Sequence, residues 1–307
     1  MELNSLDKEL LEAVADLHSI PTGAVNIRKD GEGVLRKSSG NIEIVPKTDR
    51  AGIDIIVKPG TRNEAVHIPV ILTKSGLKDL VYNTFIIGED SDVTIVAGCG
   101  IHNSGEKNSE HEGVHELIVK SGARVKYVEK HYGQGPGKGQ RILNPTTSVT
   151  VEAGGYIEME LVQIKGVDNT RRVTRAFIHD KAGIKIIEKL LTHGNQEAVS
   201  SITLELLGQD SSAQVLARSI AQEQSHQVFQ AALVGKSRCN GHVECDSIIM
   251  DQAQIRSIPE LTAESAEAVL THEAAIGRIA GDQLIKLMTL GLSENEAIER
   301  IISGFLR

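Results

Sequence analysis

Residues 239–245 read CNGHVEC and continue DSIIMD, so two of the chain's three cysteines, Cys239 and Cys245, lie six apart with His242 midway between them. Thiolates and imidazoles are the side chains that hold soft and borderline metals, and here they crowd into a stretch that reads as a β-strand. In an uninterrupted strand, 239 and 245 point to one face and 242 to the other. Gly241 is able to bend the chain and relax that rule. Two readings therefore stand: a set of ligands, or a strand whose thiol is a small buried hydrophobe, the common fate of free cysteine. The spacing is not that of a zinc finger, because no second ligand pair follows at the usual distance.

The third thiol, Cys99, lies in IVAGCGIHN between Gly98 and Gly100, with His102 and His111 nearby. Paired glycines allow another piece of chain to come close, but they also make an ordinary turn, and the turn is the simpler expectation. A last pair, His272 and Glu273 in THEAAI, sits where strand patterning gives way to helices. Adjacent residues point apart on either element, so one can face inward while the other faces a neighbouring chain. Such a pair, taken alone, is usually solvated.

Several chemistries are absent. GQGPGKGQR at 133–141 resembles a phosphate loop, yet its lysine is followed by Gly139 and the position five before Gly137 is Tyr132, so the pattern fails. GxSxG and HExxH do not occur. Phe, Tyr and Trp number four, four and none, too few to line the groove of a polysaccharide-cleaving enzyme, and no paired-carboxylate ladder accompanies them. The chain does not read as an enzyme.

Internal repetition says what positions these groups. EDSDVTIV at 89, SGARVKYV at 121, EAGGYIEM at 152, DKAGIKII at 180, DSSAQVLA at 210 and NGHVECDS at 240 share a polar or Gly start followed by alternation. Taking Val93, Val125, Ile157, Ile184, Val215 and Val243 as equivalent gives steps of 32, 32, 27, 31 and 28 residues. HELIVK, TSVTVE, SITLELL and QAALVG supply further short strands between them. Each period of about thirty residues thus carries at least two strands and almost no helix. A sandwich and a β-helix both fit such strands; recurrence over five periods favours the stacked solenoid. Aromatics are only 3% of the chain, so Val, Ile, Leu and Ala must build the core. Branching at Cβ suits them to a pleated surface.

The ends differ. Leu6, Leu10, Leu11, Val14 and Leu17 have helical spacing over residues 5–20. Near the C-terminus, Leu284–Leu290 suits one helix, which Gly291 stops. Ser293 and Glu296 then open a second helix as a capping box, and Ile298, Ile301, Ile302 and Phe305 give it an apolar stripe. That stripe either packs on the solenoid or docks a partner. The expected organisation is an N-terminal helix and lead-in strands over 1–50, a β-helix core over 51–270, and a helical segment over 271–307.

A formal net charge of −8 argues against a nucleic-acid surface. No apolar run of about 18 residues is present, so no membrane span is expected. The acidic N-terminus lacks the basic and apolar regions of a signal peptide. An odd number of cysteines fits a cytoplasmic, reducing compartment.

HIPVILTKSGLKDLVYNTFIIGEDSDVTIVAGCGIHN, with HEGVHELIVKSGARVKYVEKH after it, resembles the core of the SufB/SufD family of iron–sulfur cluster assembly scaffolds. SHQVFQAALVG, VECDSIIMD and THEAAIGRIAGDQLIKLMTLGLSENEAIERIISGF resemble its C-terminal half. The resemblance implies a right-handed parallel β-helix followed by a C-terminal helical domain. It implies a SufC-like ABC-type ATPase docking on the C-terminal helices, a dimer formed through the β-helix, and a transient iron–sulfur cluster at the dimer interface. The cysteine of the family's CDS motif falls on Cys245, and the His and Glu of its HEA motif on His272 and Glu273. SufB-like and SufD-like features thus meet in one chain, which implies a homodimer. Cys99 matches a family cysteine in a GC motif, and Cys239 has no counterpart. SufB places a sulfur-accepting thiol in the stretch HYGQGPGKGQRILNPTTSVTVEAGG, where this chain has none. Sulfur entry then takes sulfide directly or another donor. A non-cluster-binding adaptor of the SufD kind is the alternative. Charged substitutions at Ile298 or Ile302 are expected to break ATPase association.

Overall fold

The computed structural model describes residues 3–306. Helix α1 (Ser5–Ala15) precedes two antiparallel pairs, β1 (Ala24–Lys29) with β2 (Glu32–Lys37) and β3 (Ile42–Pro46) with β4 (Gly52–Val57). The Asp30–Gly31 loop between β1 and β2 has positive φ at both residues (51° and 84°), the requirement of the tight hairpin turn that Asp-Gly favours.

Parallel coiling follows through β5 (Arg62–His67), β6 (Val70–Leu72), β7 (Lys78–Ile87), β8 (Asp92–His102), β9 (Ser109–Val119), β10 (Arg124–Gln134), β11 (Arg141–Leu143), β12 (Thr146–Val151) and β13 (Tyr156–Lys165). It continues in β14 (Asn169–Ile178), β15 (Gly183–Thr192), β16 (Glu197–Leu206), β17 (Ser211–Ala221), β18 (His226–Gly235), β19 (Cys239–Ile249), β20 (Gln254–Ala263) and β21 (Ala268–Gly277). The result is a β-solenoid of about eight turns. One sheet carries β5, β8, β10, β13, β15, β17, β19 and β21 in order; the other carries β4, β7, β9, β14, β16, β18 and β20. The main core lies between them, and its rows run along the stack: Ile95, Tyr127, Met159, Ile186, Val215 and Val243 occupy one inward row.

The repeat frame holds with one slip. Val93, Val125, Ile157 and Ile184 are register partners, but Ile184 faces Ala213, and Val215 belongs with Ile186. The shift is two residues, so the inward phase is kept. The polar or Gly starts have a physical cause: Asp90, Gly122, Gly154, Lys181 and Asp210 all adopt left-handed backbone (φ 54°, 71°, 69°, 55° and 58°) just before a strand. Gly, Asp and Asn tolerate that conformation best.

IVAGCGIHN is not a turn. It lies within β8, whose outer face is covered by α1, and a Cβ on Gly98 would collide with the Val14 carbonyl. The glycines admit the helix, while Cys99 points inward. Helix α1 is shorter than the spacing predicts: Asp16 takes the left-handed conformation (φ 52°) and ends it, leaving Leu17 outside. At the other end β21 runs to Gly277, and α2 (Gly281–Thr289) and α3 (Glu294–Phe305) follow, with Gly291 at φ 95° and the Ser293–Glu296 capping box both formed. Among the described residues no helix is long and apolar enough to cross a membrane.

Candidate metal centre

Strand β19 alternates without interruption, so Gly241 bends nothing: Cys239, Val243 and Cys245 face the core and His242 faces out. His242 spends its Nδ1 on the Thr271 hydroxyl, 2.8 Å away on β21. Cys239 is 1% exposed among apolar side chains, about 20 Å along the strand from Cys245 at roughly 3.3 Å per residue. Cys99 belongs to β8, five strands back in the same sheet, or about 24 Å at about 4.8 Å per strand. The three thiols therefore do not meet, and all are free.

Cys245 and His272 do meet. His272 stands opposite Val243 in the parallel register and ends the apolar row that begins with Ile95. An inward-facing position that is Ile, Tyr, Met or Val on every earlier turn becomes an imidazole on the last one. Its Nε2 lies 3.7 Å from Cys245 Sγ. Burial, then the nearby His242, depress the His272 pKa, which keeps the ring neutral and its lone pair available. Burial pushes the Cys245 thiol up to about 12, with carboxylates Glu188, Asp246 and Glu244 adding to the rise. The Ser257 hydroxyl of β20 pulls the other way, and it has no conventional hydrogen-bond partner. A cavity of about 20 Å³, room for one water-sized group, is lined by Cys245, Ser257, Ser247 and Glu188.

Glu273 points outward, as neighbours on a strand must, and stands opposite Glu244 on the exposed face. Among the described residues no three His, Cys, Asp or Glu side chains are placed to hold one metal ion. A sulfur and an imidazole nitrogen suit iron in donor type, but one chain supplies only these two at the spot. They lie at the open end of the stack, where β21 and β20 are the last strands of their sheets among the described residues.

Sequence reasoning missed a second polar feature, inside the solenoid. His115 Nδ1 lies 2.8 Å from the Tyr127 hydroxyl, which donates to Glu129 (2.7 Å), and Glu129 also pairs with His131 (3.2 Å) and Arg172. Burial alone would raise the Glu129 carboxyl, yet Arg172 and His131 hold it well below the usual carboxylate range. Further along, Ser200 donates to Glu188 (2.7 Å), whose carboxyl burial keeps raised despite Arg172. The signal was present in VKYVEKH: Glu129 and His131 fall in the inward phase fixed by Val125 and Tyr127.

The family model for the SUF system FeS cluster assembly, SufBD core domain, matches residues 71–305. An iron–sulfur cluster assembly SufBD family protein of Archaeoglobus fulgidus is 28% identical over 279 residues, 89% of this chain and 73% of that one. One of Methanothermobacter thermautotrophicus is 27% identical over 267 residues (84% and 63%), and a chloroplastic one of Arabidopsis thaliana 27% over 235 (73% and 42%). The chain thus spans less than two thirds of some of these relatives. A match over most of the solenoid, carrying Cys245, His272 and both C-terminal helices, decides the assignment: the chain belongs to the SufBD family of iron–sulfur cluster assembly proteins.

Proposed function

We propose that the protein is a scaffold on which an iron–sulfur cluster is built as cargo and released, with Cys245 as principal ligand, His272 beside it, and Glu273 offered from the outward face toward a second copy. The observation that carries this reading is the 3.7 Å approach of Cys245 Sγ to a neutral His272 at the open end of the solenoid. A scaffold must let its cargo go, and a site mixing thiolate with nitrogen or carboxylate donors releases iron more readily than four thiolates. No catalytic residue is assigned. Cys99 and Cys239 sit too far off to join the same centre.

Two donors do not complete a cluster site, and the remainder is drawn from a second copy. Strand β21 is a ten-residue parallel edge that contains no proline or lysine, the devices that usually blunt an edge. By contrast β20 carries Pro259 and the charges of Arg256 and Glu260. Homodimer pairing along β21 therefore sets two His272–Glu273 pairs near one axis. Ile285, Met288 and Leu290, 61%, 44% and 74% exposed around α2, supply an apolar face for a SufC-like ATPase. Ile298 and Ile302 of α3 instead face Ile164 and Leu191 of the solenoid across a groove.

Anaerobic reconstitution with iron and sulfide, followed by visible absorption, tests the scaffold reading. Wild type is expected to develop charge-transfer bands that Cys245→Ala loses. Equal, negligible iron in both variants favours the adaptor reading, which the two-donor geometry of a single chain also supports.

A further inference from the structure

Helix α3 has Glu294 and Glu296 in its first turn and no basic residue in its last turn to face its negative C-terminal end. One comes from the solenoid. Arg218 of β17 donates from Nη1 to the Phe305 carbonyl (3.3 Å), and its guanidinium carbon lies 5.8 Å from the centre of the Phe305 ring. The same side chain reaches the other way, placing Nη2 at 3.9 Å from Glu244.

Two carboxylates earlier on this outer face are matched by lysines on the next strand, Glu158 with Lys185 (3.4 Å) and Glu160 with Lys189 (3.0 Å), whereas Asp246, the register partner of Arg218, has no lysine beside it among the described residues. The final rung goes further: Glu244 stands opposite Glu273, and like charges facing each other across adjacent strands repel. Arg218 is the cation paired with Glu244 among the described residues. The apolar seat of α3 is loose, for Ile298, Ile302 and Leu306 are separated from Ile164 and Leu191 by a groove of about 640 Å³.

We propose that Arg218 is a positioning residue which couples the seating of α3 to metal affinity at the end of the solenoid. This rests on the assignment of Cys245 and His272 to the metal centre. With α3 seated, Phe305 fixes the guanidinium over Glu244, where it neutralises one carboxylate and repels an incoming cation. With α3 lifted, the side chain swings into solvent, and Glu244 and Glu273 are left uncompensated on the outer face, each one residue along its strand from Cys245 or His272. Lifting the helix therefore tightens cation binding.

Cobalt(II) titration of the full chain, read by thiolate-to-cobalt absorption, measures this coupling. Ile302→Asp puts a charge on the solenoid-facing side of α3, and Ile298→Asp does so again where the first variant folds poorly. Either is expected to tighten cobalt binding about threefold, the scale of a half-exposed ion pair. Arg218→Gln is expected to give the same gain alone, and adding Ile302→Asp to it to give nothing more. Arg218→Lys, which keeps the charge, stays near wild type. Equal effects of Ile302→Asp with and without Arg218, or no effect in either, overturn the coupling. Absence of any thiolate–cobalt band in wild type removes the metal-centre reading and the coupling with it. Hydrogen exchange of α3, faster in Arg218→Gln, then reports separately whether the seat itself is real.

Discussion

Cys239 and Cys245 share a strand and a face, yet their chemistry separates through what lies opposite them. Cys239 has Ser211 and Ala268 as register partners inside the aliphatic core, whereas Cys245 has the last inward imidazole of the stack beside it. Cys239→Ala should therefore leave cluster loading at the wild-type level while lowering stability by about 1–2 kcal/mol, the low end for trimming a buried side chain. Denaturant unfolding with parallel reconstitution checks both halves, and loss of the cluster bands in this variant would bring Cys239 back as a ligand. The separation of 239, 242 and 245 by face was legible in the sequence, because period-two alternation is a property of the backbone. The approach of 245 to 272 did not follow from alternation, and only the family resemblance pointed to it: 26 residues of turn and strand intervene, and the coil length decides which inward positions become neighbours.

Two inward carboxylates behave oppositely at the level of the strands that carry them. Glu129 on β10 is paired with Arg172 of β14 and His131, and its pKa is depressed; its stabilising contribution is present above the ordinary carboxylate pKa and lost as pH falls below it. Glu188 on β15 has a raised pKa, so its contribution is present below the ordinary value and lost as pH rises through the folded one. Glu188→Gln keeps a partner for Ser200 and has no charge to desolvate. It should be more stable than wild type at pH 8 by about 1 kcal/mol, the scale of desolvating a buried polar group, and near equal to it at pH 4. Glu129→Gln should be less stable at pH 8. Urea midpoints at the two pH values distinguish these signs. The strands themselves were readable, since Val, Ile and Leu repeat in phase with turn residues that must be left-handed. The two-residue slip between Ile184 and Val215 was not, because either valine or alanine fills an inward position. Gly98 was misread as a turn because a helix packed on a strand leaves no mark in the strand's own sequence except the missing side chain.

Across the whole molecule, the apolar surface is concentrated at the C-terminal end. Ile285→Asp on α2 is expected to abolish co-purification with the SufC-like ATPase, while Ile302→Asp, which faces the solenoid, leaves that association largely intact. The reverse result would return the docking face to α3. Ile276→Lys, placed on the inward side of the last strand at a residue 47% exposed, is expected to convert a dimer to a monomer in light scattering without changing the far-ultraviolet spectrum of strands. A dimer unaffected by that charge would move the pairing away from β21.

The two ends of the stack are finished differently. Short antiparallel strands rich in charge, Glu32, Arg36 and Lys37 on β2, and Pro46 closing β3, terminate the first turns, while β21 ends its sheet bare. A body with one adhesive end saturates on meeting its own kind about a twofold axis, because each copy then has only its blunt end left to offer. If β21 pairs as proposed, such a chain is expected to make pairs and stop, whereas a solenoid bare at both ends would grow into a fibre.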